Sequence, residues 1–181
     1  MADNAPEDMG YTEARPSNLT KTAVYSLAEY LRSQLNFMPG GDLNPVLERL
    51  GGRLQVRDFW DLNGNESGSI YIHAEGQFDV CVSSITSGRR DRFTIAHEIG
   101  HYVLHFLYLR QQGQVVERVF ARRYGNSRQE WEANWFAAAF LMPEAPFRAA
   151  FTGDISAIAQ QFGVSIKAAE VRAKSLGMVD E

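Results

Sequence analysis

The spacing of hydrophobic positions changes along the chain, and each change predicts a new kind of element. From Thr20 to Phe37 apolar side chains recur every three or four residues, which predicts a helix, and a shorter helix is predicted at 42–50. Three segments near 53–59, 69–74 and 78–82 then alternate with period two and predict strands. The last two are joined by a short hairpin loop, so one small antiparallel sheet is the simplest arrangement.

The helical spacing returns after residue 90 and continues to the end of the chain. It predicts helices at 91–108, 128–141, 154–162 and 165–176. The segment 109–127 is assigned to neither helix nor strand, although Val119 and Phe120 indicate local structure there. Helices, then strands, then helices is the order of an α+β domain. In that domain the strand 78–82 is either an edge that pairs with an extended substrate or simply the last strand.

Composition narrows the class of protein. Of the 181 residues, 45% are hydrophobic and 22% charged, which is typical of a globular protein. The single cysteine, Cys81, excludes an internal disulfide and a cysteine-rich zinc finger. No apolar run approaches the roughly 18 residues of a membrane span, and the acidic N-terminus differs from a secretory leader. We therefore expect a cytoplasmic protein with no membrane partner. The net charge of −4 argues against a general nucleic-acid coat.

Three segments are predicted along the chain. Residues 1–18 contain Gly10, Pro6 and Pro16 without apolar periodicity, which indicates a flexible tail. Residues 19–152 form the main domain. Residues 153–181 contain two short apolar helices around Gly163, which indicates a helix-turn-helix-like segment packed on the same domain.

The candidate chemistry lies in the helix at 91–108. His97 and His101 are four residues apart, so both imidazoles lie on one helix face and can bind one metal ion. Glu98 follows the first histidine and can reach a metal-bound water. This is the H-E-x-x-H arrangement of zinc hydrolases, in which the metal lowers the pKa of the water and the glutamate accepts its proton. The alternative is a pair of hydrogen-bonded core histidines.

A catalytic zinc usually has three protein ligands, and the third has to come from elsewhere in the chain. The helix at 128–141 offers Glu130 and Glu132, of which the helical geometry favours Glu130. Asn134 lies one turn after Glu130 and can hydrogen-bond a histidine ligand. Glu130 and Glu132 can also be ordinary acids of a first helical turn.

Two other histidines are possible ligands. His105 is two turns from His97 on the same helix, too far along the axis to share its metal, so a structural or supporting role is expected. His73 lies on the second predicted strand, where a partly exposed histidine without a metal is the favoured interpretation.

The blocks 92–101 and 130–143 together resemble the ImmA/IrrE family of metallo-endopeptidases, over roughly residues 20–177. The resemblance implies a minimal zincin-like fold with a three-stranded sheet, and metal ligands at His97, His101 and Glu130. It implies that Glu98 is the catalytic acid and base. Zinc is the expected ion, with Mn²⁺ and Fe²⁺ as alternatives. The implied activity is cleavage of a specific partner protein, and the implied substrate class is a helix-turn-helix transcriptional repressor.

Two other functions stay open at the level of sequence. The turn between the last two helices is also found in DNA-binding regulators, in which case the metal site would be structural. The helix predicted at 165–176 carries Lys167, Arg172 and Lys174 but also Glu170. This is little positive charge for contacts with DNA phosphates, so direct DNA binding is not expected. The third possibility is a non-catalytic binder that uses the same cleft.

Overall fold

The computed structural model describes residues 10–57, 68–84, 88–122 and 126–180. The strand position predicted at Phe59 lies outside these ranges. The chain forms an α+β fold in which helices pack on a mixed sheet of five strands. The strands are β1 (Thr12–Glu13), β2 (Gly52–Arg57), β3 (Ser69–Ile72), β4 (Phe78–Ser83) and β5 (Val119–Arg122).

The sheet has the strand order β1-β5-β3-β4-β2. The centre is antiparallel: β3 pairs with β4 through the predicted hairpin and with β5 on its other side. The two outer pairs, β2 with β4 and β1 with β5, are parallel. The prediction of a three-stranded antiparallel sheet is therefore wrong in strand number and direction, although the α+β class is right.

The physical reason for this error is the distance in sequence between paired strands. A hairpin is encoded locally by its turn, whereas a parallel pair needs a crossover and joins segments that are far apart. Val119 lies opposite Thr12, more than a hundred residues away. The strand β4 lies between β3 and β2, so it is neither an edge for a substrate nor the last strand of the sheet.

Seven helices are described around this sheet. They are α1 (Lys21–Gln34), α2 (Asn44–Arg49), α3 (88–111), α4 (Arg128–Leu141), α5 (Glu144–Ala150), α6 (Ile155–Phe162) and α7 (Ile166–Ser175). Thr20, Asp154 and Ser165 cap the N-termini of α1, α6 and α7 by accepting hydrogen bonds from backbone N–H groups. No described helix is long and apolar enough to span a membrane.

The long helix α3 changes its winding beyond the motif. Its first part, Gly88–His101, is α-helical, Tyr102–Tyr108 forms a π-helix, and Leu109–Gln111 is α-helical again. Wider π turns are found mostly at functional sites. This segment is buried in the core from Tyr102 to Phe106.

The pairing of α3 with α4 positions the candidate site. Gly100 makes this close approach possible, because a Cβ at that position would lie 3.2 Å from the backbone of Ala133 and from Phe136 Cβ. On the other side of α4, Phe140 stacks on Phe37 at a ring distance of 5.0 Å, which joins it to the segment after α1. The two helices therefore share one continuous hydrophobic core.

The N-terminal segment differs from the predicted flexible tail in residues 10–18. Thr12 and Glu13 pair with β5, Ala14 is buried, and Ser17 forms two hydrogen bonds to Glu132. Polar composition gave no sign of these contacts, because their partners lie more than a hundred residues away. Residues 1–9 lie outside the described part of the chain.

The C-terminal helices contact the main domain through two arginines, Arg92, which is partly buried, and Arg172, which is buried. Arg92 of α3 donates from Nε to the carbonyl oxygen of Gly163, between α6 and α7, at 3.0 Å. Arg172 of α7 donates from Nε to the carbonyl oxygen of Met142 at 2.9 Å. Gly163 has φ of 65° and ends α6 in the left-handed conformation that glycine adopts easily.

Candidate metal centre

The motif on α3 places two imidazole rings on one buried face. His97 and His101 are fully buried, and their Nε2 atoms lie 3.0 Å apart. The i, i+4 spacing predicts this arrangement, because residues four apart lie one above the other on a helix. Glu98 is also fully buried. Three charged or titratable side chains within one buried turn of a helix need compensating partners.

Glu130 of α4 completes a triangle with these rings. Its Oε2 lies 3.2 Å from His97 Nε2 and its Oε1 lies 3.0 Å from His101 Nε2. The three ligand atoms lie within 4.8 Å of one another, and the described residues contain no second group of this kind. Burial by itself would raise the pKa of Glu130, but hydrogen bonding to His101 and His97 lowers it to about 2. The carboxylate is therefore ionised at neutral pH.

Asn134 lies behind the first ring. Its Oδ1 is 3.0 Å from His97 Nδ1, and an amide oxygen can only accept a hydrogen bond. His97 Nδ1 is therefore protonated, which leaves Nε2 as the ring atom that would bind a metal ion. Asn134 lies one turn after Glu130 on α4 and contacts His97.

His105 and Glu132 lie behind the second ring. His105 Nδ1 is 2.9 Å from His101 Nδ1, and His105 Nε2 is 3.0 Å from Glu132 Oε2. Burial lowers the pKa of His105 to about 4, against the opposing effect of Glu132, so the ring is neutral. A neutral His105 that donates to Glu132 accepts from His101 Nδ1, so Nε2 is also the atom of His101 that would bind a metal ion.

Glu132 is the functional candidate that the sequence did not identify correctly. It is fully buried, and besides His105 it accepts hydrogen bonds from Ser17 and from Arg128 Nε. Although burial alone would raise its pKa, His105, Ser17 and Arg128 lower it to about 2. The signal available in the sequence was the third histidine, His105, which needs a buried partner on a neighbouring element.

The family model Peptidase_M78, described as the IrrE N-terminal-like domain, matches residues 59–174 of the chain. The chain belongs to the ImmA/IrrE family. This family is one of metal-dependent proteases of the IrrE/ImmA type. A comparison with curated protein sequences gives no match.

A solved structure provides an independent view of the fold of this ImmA/IrrE chain. A Mycobacterium tuberculosis transcriptional regulator superposes with a TM-score of 0.56 and 20% sequence identity. The similarity covers 84% of this chain and 46% of the regulator, so the chain spans less than half the length of that protein. At this identity the similarity concerns the fold alone.

The donor set of the ImmA/IrrE chain fits a divalent metal ion. Two imidazole nitrogens and a carboxylate are the ligands of a three-residue catalytic zinc site. Because Asn134 and His105 accept from the Nδ1 atoms, Nε2 is the atom of each ring that would bind the ion. A divalent cation would take the place of the protons that these Nε2 atoms share with Glu130.

The remaining histidine lies apart from this triangle. His73 Nε2 is 3.0 Å from Asp79 Oδ2, and its Nδ1 is 2.7 Å from the hydroxyl of Tyr11. Its side chain keeps 36% of its surface exposed. The sequence predicted His73 within the second strand, but β3 ends at Ile72, so His73 is a partly exposed histidine just after the strand with two local partners. It provides a matched control for the three histidines on α3.

Proposed function

We propose that this chain is a cytoplasmic zinc-dependent endopeptidase that cleaves a specific partner protein, with a helix-turn-helix transcriptional repressor as the substrate class. The observation that carries the proposal is the buried triangle of His97, His101 and Glu130. Membership of a family of metal-dependent proteases supports it.

In this proposal His97 Nε2, His101 Nε2 and a Glu130 oxygen hold the ion. A bound zinc supplies Lewis-acid activation of water and of the peptide carbonyl. His2Glu ligation suits zinc, and Mn²⁺ or Fe²⁺ would be alternative occupants.

Glu98 moves the proton. It lies next to His97 on the same helix and is withdrawn from solvent. Its carboxylate accepts a proton from the attacking water and passes it to the nitrogen of the leaving amine, so that one residue acts as base and then as acid.

Asn134 and His105 are positioning residues in this scheme. Each accepts a hydrogen bond from Nδ1 of one ligand ring and so fixes the ring's orientation and the basicity of Nε2. Glu132 holds His105 in turn. Arg128 and Ser17 fix Glu132, so the support reaches from the site to the N-terminal segment.

A specific protein substrate is favoured over bulk peptide by the burial of the site. His97, Glu98 and His101 are 0% exposed and Glu130 is 5% exposed. In the described part of the chain these four side chains have little contact with solvent, so we expect a substrate that gains binding energy from contacts around the site. The repressor as substrate class rests on the resemblance to the ImmA/IrrE family.

Direct DNA binding finds little support in the C-terminal helices. Arg172 is buried, and Lys167 and Lys174 both face Glu170 at 3.3 and 3.6 Å. Few cations of α7 are therefore available for phosphate contacts, which supply most of the affinity of DNA-binding proteins.

The metal site is tested by measuring zinc per chain in protein purified without a metal-affinity tag. We expect about one zinc per wild-type chain, and loss of that zinc in His97→Ala. Glu98→Gln and His73→Gln are the matched controls and keep the metal. Wild-type protein that stays free of metal after equilibration with zinc would overturn the proposal.

The peptidase activity is tested with zinc-loaded wild type and zinc-loaded Glu98→Gln. Each is incubated with the proteome of the organism that encodes the chain, and new N-termini are identified by mass spectrometry. We expect a small set of new N-termini in the wild-type sample alone, within a helix-turn-helix protein. Identical sets in both samples would exclude Glu98-dependent cleavage, and cleavage confined to other proteins would exclude the repressor.

A further inference from the structure

A cavity of about 720 Å³ opens beside the candidate metal centre. It lies between α1, the first turns of α3, α4 and α7, and we call it the lateral cavity. Of the residues discussed for the metal site, Asn134 lines it, which places the cavity on the Nδ1 side of His97 rather than at the triangle itself. Its volume is within the roughly 300–1,000 Å³ of small-molecule pockets.

The wall of the lateral cavity is aromatic. Tyr25, Phe93, Trp131 and Trp135 contribute to it from three different helices. Trp131 leaves 48% of its surface exposed, although its helix is otherwise largely buried. Folding gains little from a tryptophan left half exposed, whereas an apolar ligand gains much from its surface.

The charges of the lateral cavity all have one sign. Lys21, Arg89, Lys167 and Arg172 line it, and the described lining residues include no aspartate or glutamate. Lys167 has a partner in Glu170 on its own helix, at 3.3 Å. The chain as a whole carries a net charge of −4, so this positive lining is a local feature.

Arg172 is the innermost of these cations. It is 1% exposed, and its guanidinium lies 4.6 Å from the ring centre of Tyr25. Glu29 Oε1 stands 4.0 Å from Nη2, at the outer limit of an ion pair. Burial lowers the pKa of Arg172, but a guanidinium stays charged at neutral pH. A cation fixed in a low-dielectric wall attracts an anion without direct contact.

We propose that the lateral cavity binds a small amphipathic organic anion, with an aliphatic or aromatic body and one carboxylate. The aromatic wall would take the body and the four cations would attract the head group. This site is separate from the proposed peptidase chemistry. Because Asn134 contacts both the cavity and His97, an occupant would touch a residue that supports the metal ligand.

The test uses 8-bromooctanoate as probe, because bromine quenches tryptophan fluorescence on contact. Trp131 and Trp135 line the cavity and report its occupation. We expect saturable quenching by 8-bromooctanoate, and binding weaker by about tenfold or more for 8-bromooctylammonium, which has the same body and the opposite charge. Equal affinity of the two probes, or quenching that does not saturate, would overturn the proposal.

A cavity-filling variant locates the site. Ala168→Phe places a ring in the lateral cavity, and Ala157→Phe places the same ring on an exposed position of α6. We expect saturable quenching to disappear in Ala168→Phe and to persist in Ala157→Phe. Unchanged binding in a folded Ala168→Phe would show that the probe binds elsewhere and would overturn the assignment.

A surface double variant keeps the test decisive if Ala168→Phe does not fold. Lys21→Gln with Arg89→Gln removes two cavity charges, and Arg53→Gln with Arg110→Gln removes two exposed charges outside it. We expect the first pair to weaken 8-bromooctanoate binding by about tenfold and the second to leave it nearly unchanged. Equal effects would point to net charge alone and would contradict the proposal.

Discussion

The Nδ1 atoms of His101 and His105 lie 2.9 Å apart, so one ring donates a hydrogen bond to the other inside the core. His105 Nε2 lies 3.0 Å from Glu132 and donates its proton to that carboxylate, so Nδ1 of the neutral His105 ring carries no proton. The donor in the pair is therefore His101. A ring that donates from Nδ1 presents the bare Nε2 that a metal ligand needs. A ligand histidine usually donates directly to a carboxylate or a carbonyl group. Here His105 lies between His101 and the carboxylate of Glu132.

His105→Leu removes the acceptor of this hydrogen bond. We expect zinc affinity to fall roughly 10- to 100-fold, since supporting partners of metal ligands have effects of this size. The free energy of unfolding of the metal-free protein should fall by about 1–3 kcal/mol, because buried Glu132 loses a donor. Competition with a chromophoric chelator measures the first quantity, and urea denaturation the second.

His105→Gln is the matched variant for this prediction. Its amide can accept from His101 and donate to Glu132, so it should recover most of the zinc affinity that His105→Leu loses. If leucine and glutamine at this position gave the same affinity, the hydrogen bond would have no part in holding the metal.

Asn134 supports the other ligand ring, His97. Two replacements at this position distinguish the effect of the hydrogen-bond acceptor from the effect of side-chain size. Asn134→Leu keeps the volume and removes the acceptor of the hydrogen bond from His97 Nδ1. We expect zinc affinity to fall roughly 10- to 100-fold in the leucine variant, and to stay near wild type in Asn134→Asp, which also accepts. The chelator competition checks both. Loss of affinity in the aspartate variant as large as in the leucine variant would contradict this role.

The local part of the fold could be predicted from the sequence, and the long-range part could not. The helix at 128–141 and the hairpin of β3 and β4 follow from apolar spacing and turn residues within a few positions. The pairing of Thr12 with Val119 depends on contacts across the whole chain. A two-residue strand carries no periodicity, so nothing near Thr12 indicated it.

The candidate site also has a part that could be predicted from local sequence and a part that depends on long-range contacts. The i, i+4 spacing of His97 and His101 is a local property of one helix, and the structure places Glu130 and Asn134 beside them. Helical geometry also puts Glu132 on a different side of its helix from Glu130. The sequence did not show that His105 and Ser17 meet Glu132 on that side, because both belong to other segments.

Gly100 should be the most sensitive glycine of the site. A Cβ there would lie 3.2 Å from Ala133 and Phe136, so Gly100→Ala has to push α3 away from α4. We expect the free energy of unfolding to fall by about 1–3 kcal/mol, as for other overpacked cores. Zinc binding should weaken as well, because His97 and His101 lie on one helix and Glu130 on the other.

Gly88→Ala is the control for that variant. Gly88 belongs to the same helix, and a Cβ added there would meet no atom of the described residues within 4 Å. Alanine at this position should therefore leave both stability and zinc affinity close to wild type or slightly higher. Urea denaturation and chelator competition compare the pair. A Gly100→Ala protein as stable as Gly88→Ala would show that the helix contact is not as tight as the distances indicate.

Ser17 connects the N-terminal segment to the hydrogen-bond chain behind the metal centre. Its Oγ and its backbone N both lie 2.8 Å from Glu132 Oε2, and Ser17→Ala removes one of these two donors. We expect a loss of about 1–2 kcal/mol in the free energy of unfolding, because the bond is partly buried and its acceptor is charged. Ser26→Ala, an exposed serine of α1, should be nearly neutral in the same urea titration.

Zinc affinity should fall less in Ser17→Ala than in His105→Leu, because Arg128 still fixes Glu132. An effect on zinc binding larger than that of His105→Leu would mean that the N-terminal segment acts on the site by another route.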